Sequence, residues 1–120
     1  MVRARLLEWQ WSDYAAKHQN RLNLLLHIVT VPLFLIGTLI LLCAAITVSI
    51  AAAAIGAVCM IGALAAQGRG HRLESETPVP FDGPADFVSR LFVEQWVTFP
   101  RFVLSGGWYR NLTAGTRPPQ

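Results

Sequence analysis

A long stretch without charged residues dominates the pattern of polar and apolar positions. Arg21 and Arg69 bracket residues 22–68, which contain no Lys, Arg, Asp or Glu, so every charged residue lies in one of the two flanks. A transmembrane helix needs about 20 apolar residues, and this stretch is long enough for two of them and a tight turn. The pattern predicts a hairpin whose first span runs from Leu24 to about Cys43 and whose second runs from about Ile46 to Ala66.

The two flanks have amphipathic patterns. Residues 1–23 mix Leu, Trp and Tyr with Arg and Lys, a composition that suits the headgroup layer of a membrane. In residues 84–109, aromatic and leucine side chains recur at helical spacing, which favours an interfacial helix over a third span. The charged residues that lie among these apolar positions are expected to face away from the apolar side of the helix: Arg90, Glu94 and Arg101.

These patterns predict an all-α membrane protein, a two-span transmembrane helical hairpin with amphipathic interfacial helices on both flanks. At 120 residues the chain is long enough for one domain only. Its predicted segments are an interfacial entry segment (1–23), the hairpin (24–66), a polar linker that holds His71 (67–83), an amphipathic interfacial segment (84–109) and a polar tail (110–120).

The basic charge indicates membrane topology rather than nucleic-acid binding. The formal net charge is +3, but the ten cations are scattered, with no run of three. An excess of Lys and Arg beside membrane spans is typical of the cytoplasmic side. Because both flanks carry cations and the turn carries none, both termini are expected in the cytoplasm. The predominance of Arg over Lys suggests a bacterial source, and hence an inner-membrane protein.

Topology brings the three histidines of the chain together. His27 lies about one turn inside the first predicted span, His71 a few residues past the second, and His18 shortly before the first. A hairpin therefore gathers all three at its cytoplasmic end. On one straight helix His18 and His27 would be about 13.5 Å apart along the axis and on opposite sides. A shared site therefore requires a break in the helix, predicted around Gln19–Asn23.

The histidines have two interpretations. In the first, His18, His27 and His71 bind a divalent metal together with Glu74 or Asn23, because neutral imidazole and carboxylate suit non-haem iron and leave positions open for substrate. In the second, they are interfacial histidines that hydrogen-bond to water and headgroups. A third class of function is a non-catalytic hairpin that binds a partner or organises lipid through the small residues of the second span.

The residues around the histidines form a motif: Tyr14, His18, Asn23, His27 and Pro32, followed after the uncharged stretch by Gln67, Gly70 and His71. This motif resembles a known family, the small membrane family of yeast-type 2-hydroxy-fatty-acid dioxygenases. The likeness covers about residues 10–109, including the tail from Phe99 to Trp108. The chain departs from the family pattern at Thr30, where Gly is common, and at Ser75, where a Glu usually follows the last histidine by four residues.

The resemblance implies an iron(II)-dependent dioxygenase that shortens 2-hydroxy fatty acids by one carbon. Fe²⁺ would be held by the catalytic residues His18, His27 and His71. Because of the departure at Ser75, the resemblance leaves open whether Glu74, Glu76 or no carboxylate completes the metal site. Tyr14 and Asn23 would lie in contact with these ligands and orient them without binding the metal. The acyl tail of the substrate would lie among the spans. Three cations are candidates to pair with its carboxylate, although each is equally interpretable as a topology charge: Arg21, Arg69 and Arg72.

The implied partners are a 2-hydroxy fatty acid, dioxygen and the lipid bilayer, with no nucleic acid. Homo-oligomerisation stays open.

Overall fold

The computed structural model describes residues 1–114, and all its regular elements are helices. No strand occurs within those residues, which confirms the predicted all-α class. The elements are α1 (Leu6–Ser12), α2 (Arg21–Thr47), α3 (Ile50–His71), α4 (Pro84–Val93), a π-helical turn (Glu94–Thr98), α5 (Phe99–Leu104) and α6 (Gly107–Ala114). The π-helical segment Glu94–Thr98 is called the π-turn. The predicted polar tail begins inside α6, and its part beyond residue 114 lies outside the described residues.

The two long helices form the predicted hairpin. Both α2 and α3 are long and apolar enough to cross a membrane. The turn between them is Val48–Ser49, later than the sequence interpretation placed it, because α2 continues through Cys43–Ile46. Val48 adopts a left-handed conformation (φ 54°) that ends α2, and the Ser49 side chain accepts a hydrogen bond from the backbone N–H of Ala52.

The far end of α3 also differs from the sequence interpretation. The helix continues through the start of the predicted polar linker and ends at His71, so this histidine is the last residue of a helix rather than part of a loop. Arg69 and His71 lie in the final turn, where cationic or hydrogen-bonding side chains interact favourably with the free carbonyl groups. The direction of the His71 side chain is therefore set by the helix.

Small residues bring α2 and α3 into close contact. A Cβ atom at Gly37 would lie 2.9 Å from the carbonyl oxygen of Gly56, and one at Gly56 would lie 2.8 Å from the carbonyl oxygen of Gly37. Neither position has room for a side chain, since contacts this short require the backbones to separate. The part of the small-residue face around Gly56 therefore packs within this chain, whereas a Cβ atom at Gly62 would have no neighbour within 4 Å among the described residues.

The shorter helices pack across the open end of the hairpin. A buried cluster of Tyr14, Leu24, Val31, Phe99 and Phe102 joins them to α2. Specific hydrogen bonds add to this packing: the Trp108 indole N–H donates to the carbonyl of Leu24 (2.9 Å), and the Asn111 amide donates to the carbonyl of His18 (2.7 Å). The segment that carries His18 is thereby fixed against the first long helix.

One charged residue of α4 does not face away from the packed side as expected. Arg90 is 7% exposed and pairs with Asp86, one turn earlier (3.1 Å). Its guanidinium also donates to the carbonyls of Val79 (2.7 Å) and Pro80 (3.2 Å). Arg90 therefore attaches the linker to α4, and its charge is neutralised by a carboxylate and carbonyl groups rather than by water. Arg101, in contrast, is exposed and lies over the ring of Trp11.

Candidate metal centre

Four side chains from four parts of the chain meet at the open end of the hairpin. His18, His27, His71 and Glu94 each direct one nitrogen or oxygen atom into a space where all four atoms lie within 4.8 Å of one another. His18 precedes α2, His27 lies in its second turn, His71 ends α3, and Glu94 begins the π-turn. The structure thus brings together the three histidines that the sequence interpretation grouped and adds a carboxylate that it did not.

The predicted break between His18 and His27 is present. Helix α1 ends at Ser12, residues 13–17 form turns, and Asn20 is extended before α2 begins at Arg21. The Asn20 side chain accepts a hydrogen bond from the backbone N–H of Asn23 (3.1 Å) and so caps α2. As a result the two imidazole rings are 5.0 Å apart between centroids, much closer than a straight helix allows.

Hydrogen bonds to the backbone fix the tautomers of two imidazoles. His18 Nδ1 lies 2.7 Å from the carbonyl oxygen of Tyr14, and His27 Nδ1 lies 2.9 Å from that of Asn23. A carbonyl oxygen only accepts, so Nδ1 carries the proton in both rings and Nε2 of the neutral ring has a free lone pair. Such a second bond is the usual way in which a metal-binding histidine is oriented.

The inward-facing nitrogens have no hydrogen-bond partners of their own. Within residues 1–114, His18 Nε2, His27 Nε2 and His71 Nδ1 are all buried and unpartnered. A buried polar atom without a partner costs about 1–3 kcal/mol, and a structure that carries three such atoms at one point requires an explanation. A cation that accepts their lone pairs removes the cost at all three.

Glu94 completes the group of acceptors. Its Oε2 atom lies 3.4 Å from His18 Nε2 and 3.9 Å from His27 Nε2, and its side chain is 15% exposed. Burial raises the pKa of Glu94. The neighbouring imidazoles of His18, His27 and His71 outweigh the effect of burial and lower this pKa to about 2. The carboxyl group is therefore ionised at neutral pH and contributes a negative charge to the cluster.

Tyr14 holds Glu94 from the other side. Its hydroxyl donates to Glu94 Oε2 at 2.8 Å, and its ring stacks on the His18 imidazole with centroids 3.8 Å apart. Burial, and then the neighbouring charge of Glu94, raise the pKa of Tyr14 well above its usual value. The phenol therefore stays protonated and remains a donor. The sequence interpretation expected Tyr14 to support His18, and the structure gives it contacts with both His18 and Glu94.

The π-turn that presents Glu94 is anchored by buried amides. Gln95 and Gln67 exchange two hydrogen bonds of 2.7 and 3.0 Å, and both side chains are almost fully buried. Thr98, at the end of the same turn, donates to the Gln10 side chain in α1. Because Gln67 lies one helical turn before His71, the amide pair fixes the distance between the two elements that carry His71 and Glu94. π-Turns inside helices occur frequently at functional sites.

Glu74 lies outside this group of four, although the sequence interpretation proposed it as a ligand. Its carboxylate accepts hydrogen bonds from the backbone N–H groups of Gln19 (2.8 Å) and Asn20 (3.1 Å) and from the side chain of Asn23 (2.6 Å). These donors surround the start of α2, where backbone N–H groups lack helical partners and a negative charge is favourable. Glu74 thus caps α2 and ties the end of α3 to it.

The candidate substrate-binding arginines also differ in position. Arg72 lines a cavity of about 420 Å³ that reaches His18, His71 and Glu94. Arg21 and Arg69 are exposed and do not line that cavity. Of the three cations suggested by the sequence, Arg72 alone is placed beside the cluster.

The donor set fits a divalent transition metal. Three imidazole nitrogens and one carboxylate oxygen converge. Of the nitrogens, His18 Nε2 and His27 Nε2 carry no proton when their rings are neutral. Imidazole ligands suit Fe, Zn, Cu and Ni, and combinations of histidine with a carboxylate and open positions are typical of non-haem iron oxygenases. The open side of the group faces the cavity, so a bound ion would be accessible to a small molecule.

Comparison with known proteins supplies a family. The family model described as "2-hydroxy-palmitic acid dioxygenase Mpo1-like" matches residues 4–103, which include all four residues of the cluster. No curated protein and no solved structure matches the chain.

Proposed function

The chain belongs to the 2-hydroxy-palmitic acid dioxygenase Mpo1-like family, and from this premise we propose that it is an iron(II)-dependent dioxygenase of 2-hydroxy fatty acids. The observation that supports this proposal is the convergence of three buried, unpartnered imidazole nitrogens and the Glu94 carboxylate. The family description favours Fe²⁺ over the other metals that such a donor set accepts.

The proposed reaction is the oxidative loss of one carbon, R–CH(OH)–COOH + O₂ → R–COOH + CO₂ + H₂O. The bond between the carboxyl carbon and C2 breaks, C2 becomes the new carboxyl carbon, and dioxygen accepts the four electrons that the acid loses. Iron(II), when bound, supplies the redox chemistry that lets dioxygen react with a closed-shell acid. The expected product is a fatty acid one carbon shorter than the substrate.

The residues of this chain have distinct roles in the proposal. His18, His27, His71 and Glu94 would hold the metal, and the carbonyls of Tyr14 and Asn23 orient two of the imidazoles. The Tyr14 hydroxyl keeps the Glu94 carboxylate in place through its 2.8 Å hydrogen bond.

Arg72 would bind the substrate carboxylate. It lines the cavity next to His71 and has no ion-pair partner within residues 1–114, so its guanidinium is free to pair with an incoming anion.

A direct assay tests the activity. Purified protein reconstituted with Fe²⁺ is given a 2-hydroxy fatty acid labelled at C1, with and without dioxygen. We expect labelled CO₂ and a fatty acid one carbon shorter, in equal amounts, only when both iron and dioxygen are present. Formation of product without iron, or no turnover of any 2-hydroxy acid by iron-loaded protein, would contradict the proposal.

We further propose that α2 and α3 cross a bacterial inner membrane with both termini in the cytoplasm. Only 28% of the most apolar window of α2 and 17% of that of α3 are buried within the chain, whereas the core helix of a soluble protein is mostly buried. Exposed apolar surface of this extent needs lipid or a partner. The cations of both flanks favour the cytoplasmic side.

Cysteine labelling tests this topology. Single cysteines placed at Glu8 and at Tyr109, both exposed, in a variant without Cys43 and Cys59 should both react with a membrane-impermeant reagent only after the cells are opened. Labelling of one site in intact cells and the other only in opened cells would refute the hairpin topology.

A further inference from the structure

The cavity beside the metal centre has one polar end and a long apolar wall. At the polar end it is lined by His18, His71 and Glu94. The rest of its lining is dominated by apolar side chains from α1, α3, the linker and α4: Trp9, Leu64, Val79, Phe81, Phe87 and Leu91. Its volume of about 420 Å³ is within the roughly 300–1,000 Å³ that is usual for ligand pockets.

The cavity lies outside the hairpin rather than between its two helices. Within residues 1–114, α2 contributes no residue to its lining, and α3 contributes only its last two turns. At the level of Gly37 and Gly56 the two helices approach so closely that there is no room even for a methyl group. This geometry favours a tail that lies along α3 in the cavity over one that lies between the spans.

The linker forms the outer wall of the cavity and is held there by α4. The Arg90 guanidinium donates to the carbonyls of Val79 and Pro80 and lies over the ring of Phe81, 4.2 Å from its centroid. Phe81 in turn packs edge-to-face on Phe87 with ring centroids 4.8 Å apart. These contacts turn a polar, proline-containing linker into an apolar wall that faces α3.

Two cations stand near the polar end. Lys17 and Arg72 both line the cavity, as does Asp13, with which Lys17 pairs (2.8 Å). Arg72 therefore supplies the positive charge that has no partner within residues 1–114. This charge, together with the apolar lining, matches a molecule with an anionic head and a long hydrocarbon tail.

We propose that this cavity is the acyl-tail subsite, and that Leu64 of α3 and Phe87 of α4 determine the chain length of the 2-hydroxy acid that it accepts. The inference rests on the proposed function for the identity of the head group. It adds where the tail lies and which side chains limit it. Narrowing the cavity at Leu64 should disfavour long tails, and widening it at Phe87 should favour them.

Chain-length profiles test the assignment of the two residues. For Leu64→Trp we expect kcat/KM for the longest 2-hydroxy acids to fall by about tenfold or more relative to the shortest. The reason is that the tail methylene groups of a long acid no longer fit in the narrowed cavity, and losing the binding of a few such groups lowers kcat/KM by about this factor. Phe87→Ala should shift the profile towards longer acids. Both variants should bind iron as the parent does, since neither residue belongs to the cluster.

Matched controls lie on the same helices. Ile61→Trp and Val88→Ala change exposed side chains of α3 and α4 that do not line the cavity, and their profiles should match the parent's. An equal fall in kcat/KM at all chain lengths for Leu64→Trp would overturn the assignment. The same change in the chain-length profile of the control variants would overturn it as well.

A binding measurement separates failure of this inference from failure of the proposed function. Trp9 lines the cavity, whereas Trp11, Trp96 and Trp108 do not. A 2-hydroxy fatty acid brominated on its tail should quench tryptophan fluorescence saturably, and Trp9→Phe should remove the saturable part while Trp96→Phe retains it. Saturable Trp9 quenching without turnover would refute the proposed activity and leave the subsite standing. Turnover with no Trp9-dependent quenching would refute the subsite alone.

Discussion

His27→Ala and His71→Ala are each expected to lose bound iron and turnover while remaining in the membrane fraction. Each variant removes one of the buried imidazole nitrogens that face the common space. Loss of a partner that only supports a ligand already lowers metal affinity by about 10–100-fold, so loss of a ligand should lower it by at least about 100-fold. Insertion depends on the apolar length of α2 and α3 and not on the metal.

The measurement is iron content and turnover of the detergent-purified variants beside their distribution between membrane and soluble fractions. Cys43→Ala is the matched control, because Cys43 is an exposed thiol in the closed half of the hairpin, far along α2 from His27. It should keep both iron and activity. Full turnover of His27→Ala or His71→Ala would show that the histidines are not the metal site.

Glu94→Gln and Glu74→Gln are expected to have opposite consequences. Glu94 is the carboxylate within the histidine group, so Glu94→Gln should lower the affinity of the protein for iron by at least about 100-fold. Glu74 instead accepts hydrogen bonds at the start of α2. An amide there presents an NH₂ group to donors, so Glu74→Gln should lower the free energy of unfolding by about 1–3 kcal/mol and still bind iron at saturation.

Each glutamate variant is the control for the other, because both remove one negative charge near His71. Iron titration under anaerobic conditions and thermal unfolding of the two purified variants give the comparison. Loss of saturable iron binding in Glu74→Gln, with binding retained in Glu94→Gln, would reverse the ligand assignment and restore the one suggested by the sequence.

The fold was largely predictable because charge and apolar length determine it. Residues 22–68 lack charge and can only form a hairpin of two long helices, which is what α2 and α3 are. The helix ends were not predictable to the same degree. Val48 ends α2 through a left-handed backbone conformation that a β-branched residue seldom adopts, so the end of α2 carries no local signal, although the capping Ser49 marks the start of α3.

The convergence of the histidines was predictable for a related reason. A hairpin places the start of its first helix beside the end of its second, so His27 and His71 meet although they are 44 positions apart in the sequence. The capping Asn20 marks the break that lets His18 join them. These inferences needed only connectivity and the rise of a helix.

Glu94 could not be assigned in this way. On a regular helix it falls among residues judged to face away from the apolar side, and the π-turn that begins at Glu94 changes which side chains face α3. The polar residues Gln95 and Thr98, which interrupt the apolar face next to Glu94, were the sequence signal that could have indicated this arrangement. Both are buried. Buried polar side chains at such spacing indicate that this face packs on other polar groups, here Gln67 and Gln10.

Glu74 lies apart from the histidine group, although its distance from His71 in the sequence favours it as a ligand. It follows His71 by three residues and would share its face if α3 continued, but α3 ends at His71 and the chain turns. The turn directs the carboxylate to the unpaired N–H groups before α2 instead. Because α3 ends at His71, Glu74 caps α2 and does not face the histidines. No residue in the sequence clearly marks that end of α3.

X-ray absorption of the wild-type protein after anaerobic reconstitution with Fe²⁺ tests the metal centre most directly. The structure predicts one iron per chain whose first shell contains imidazole nitrogen from the histidines and carboxylate oxygen from Glu94. Addition of a 2-hydroxy fatty acid should change that shell, because the cavity opens onto it. Iron that binds at well below one per chain, or a first shell that contains oxygen alone with no imidazole scattering, would contradict the account.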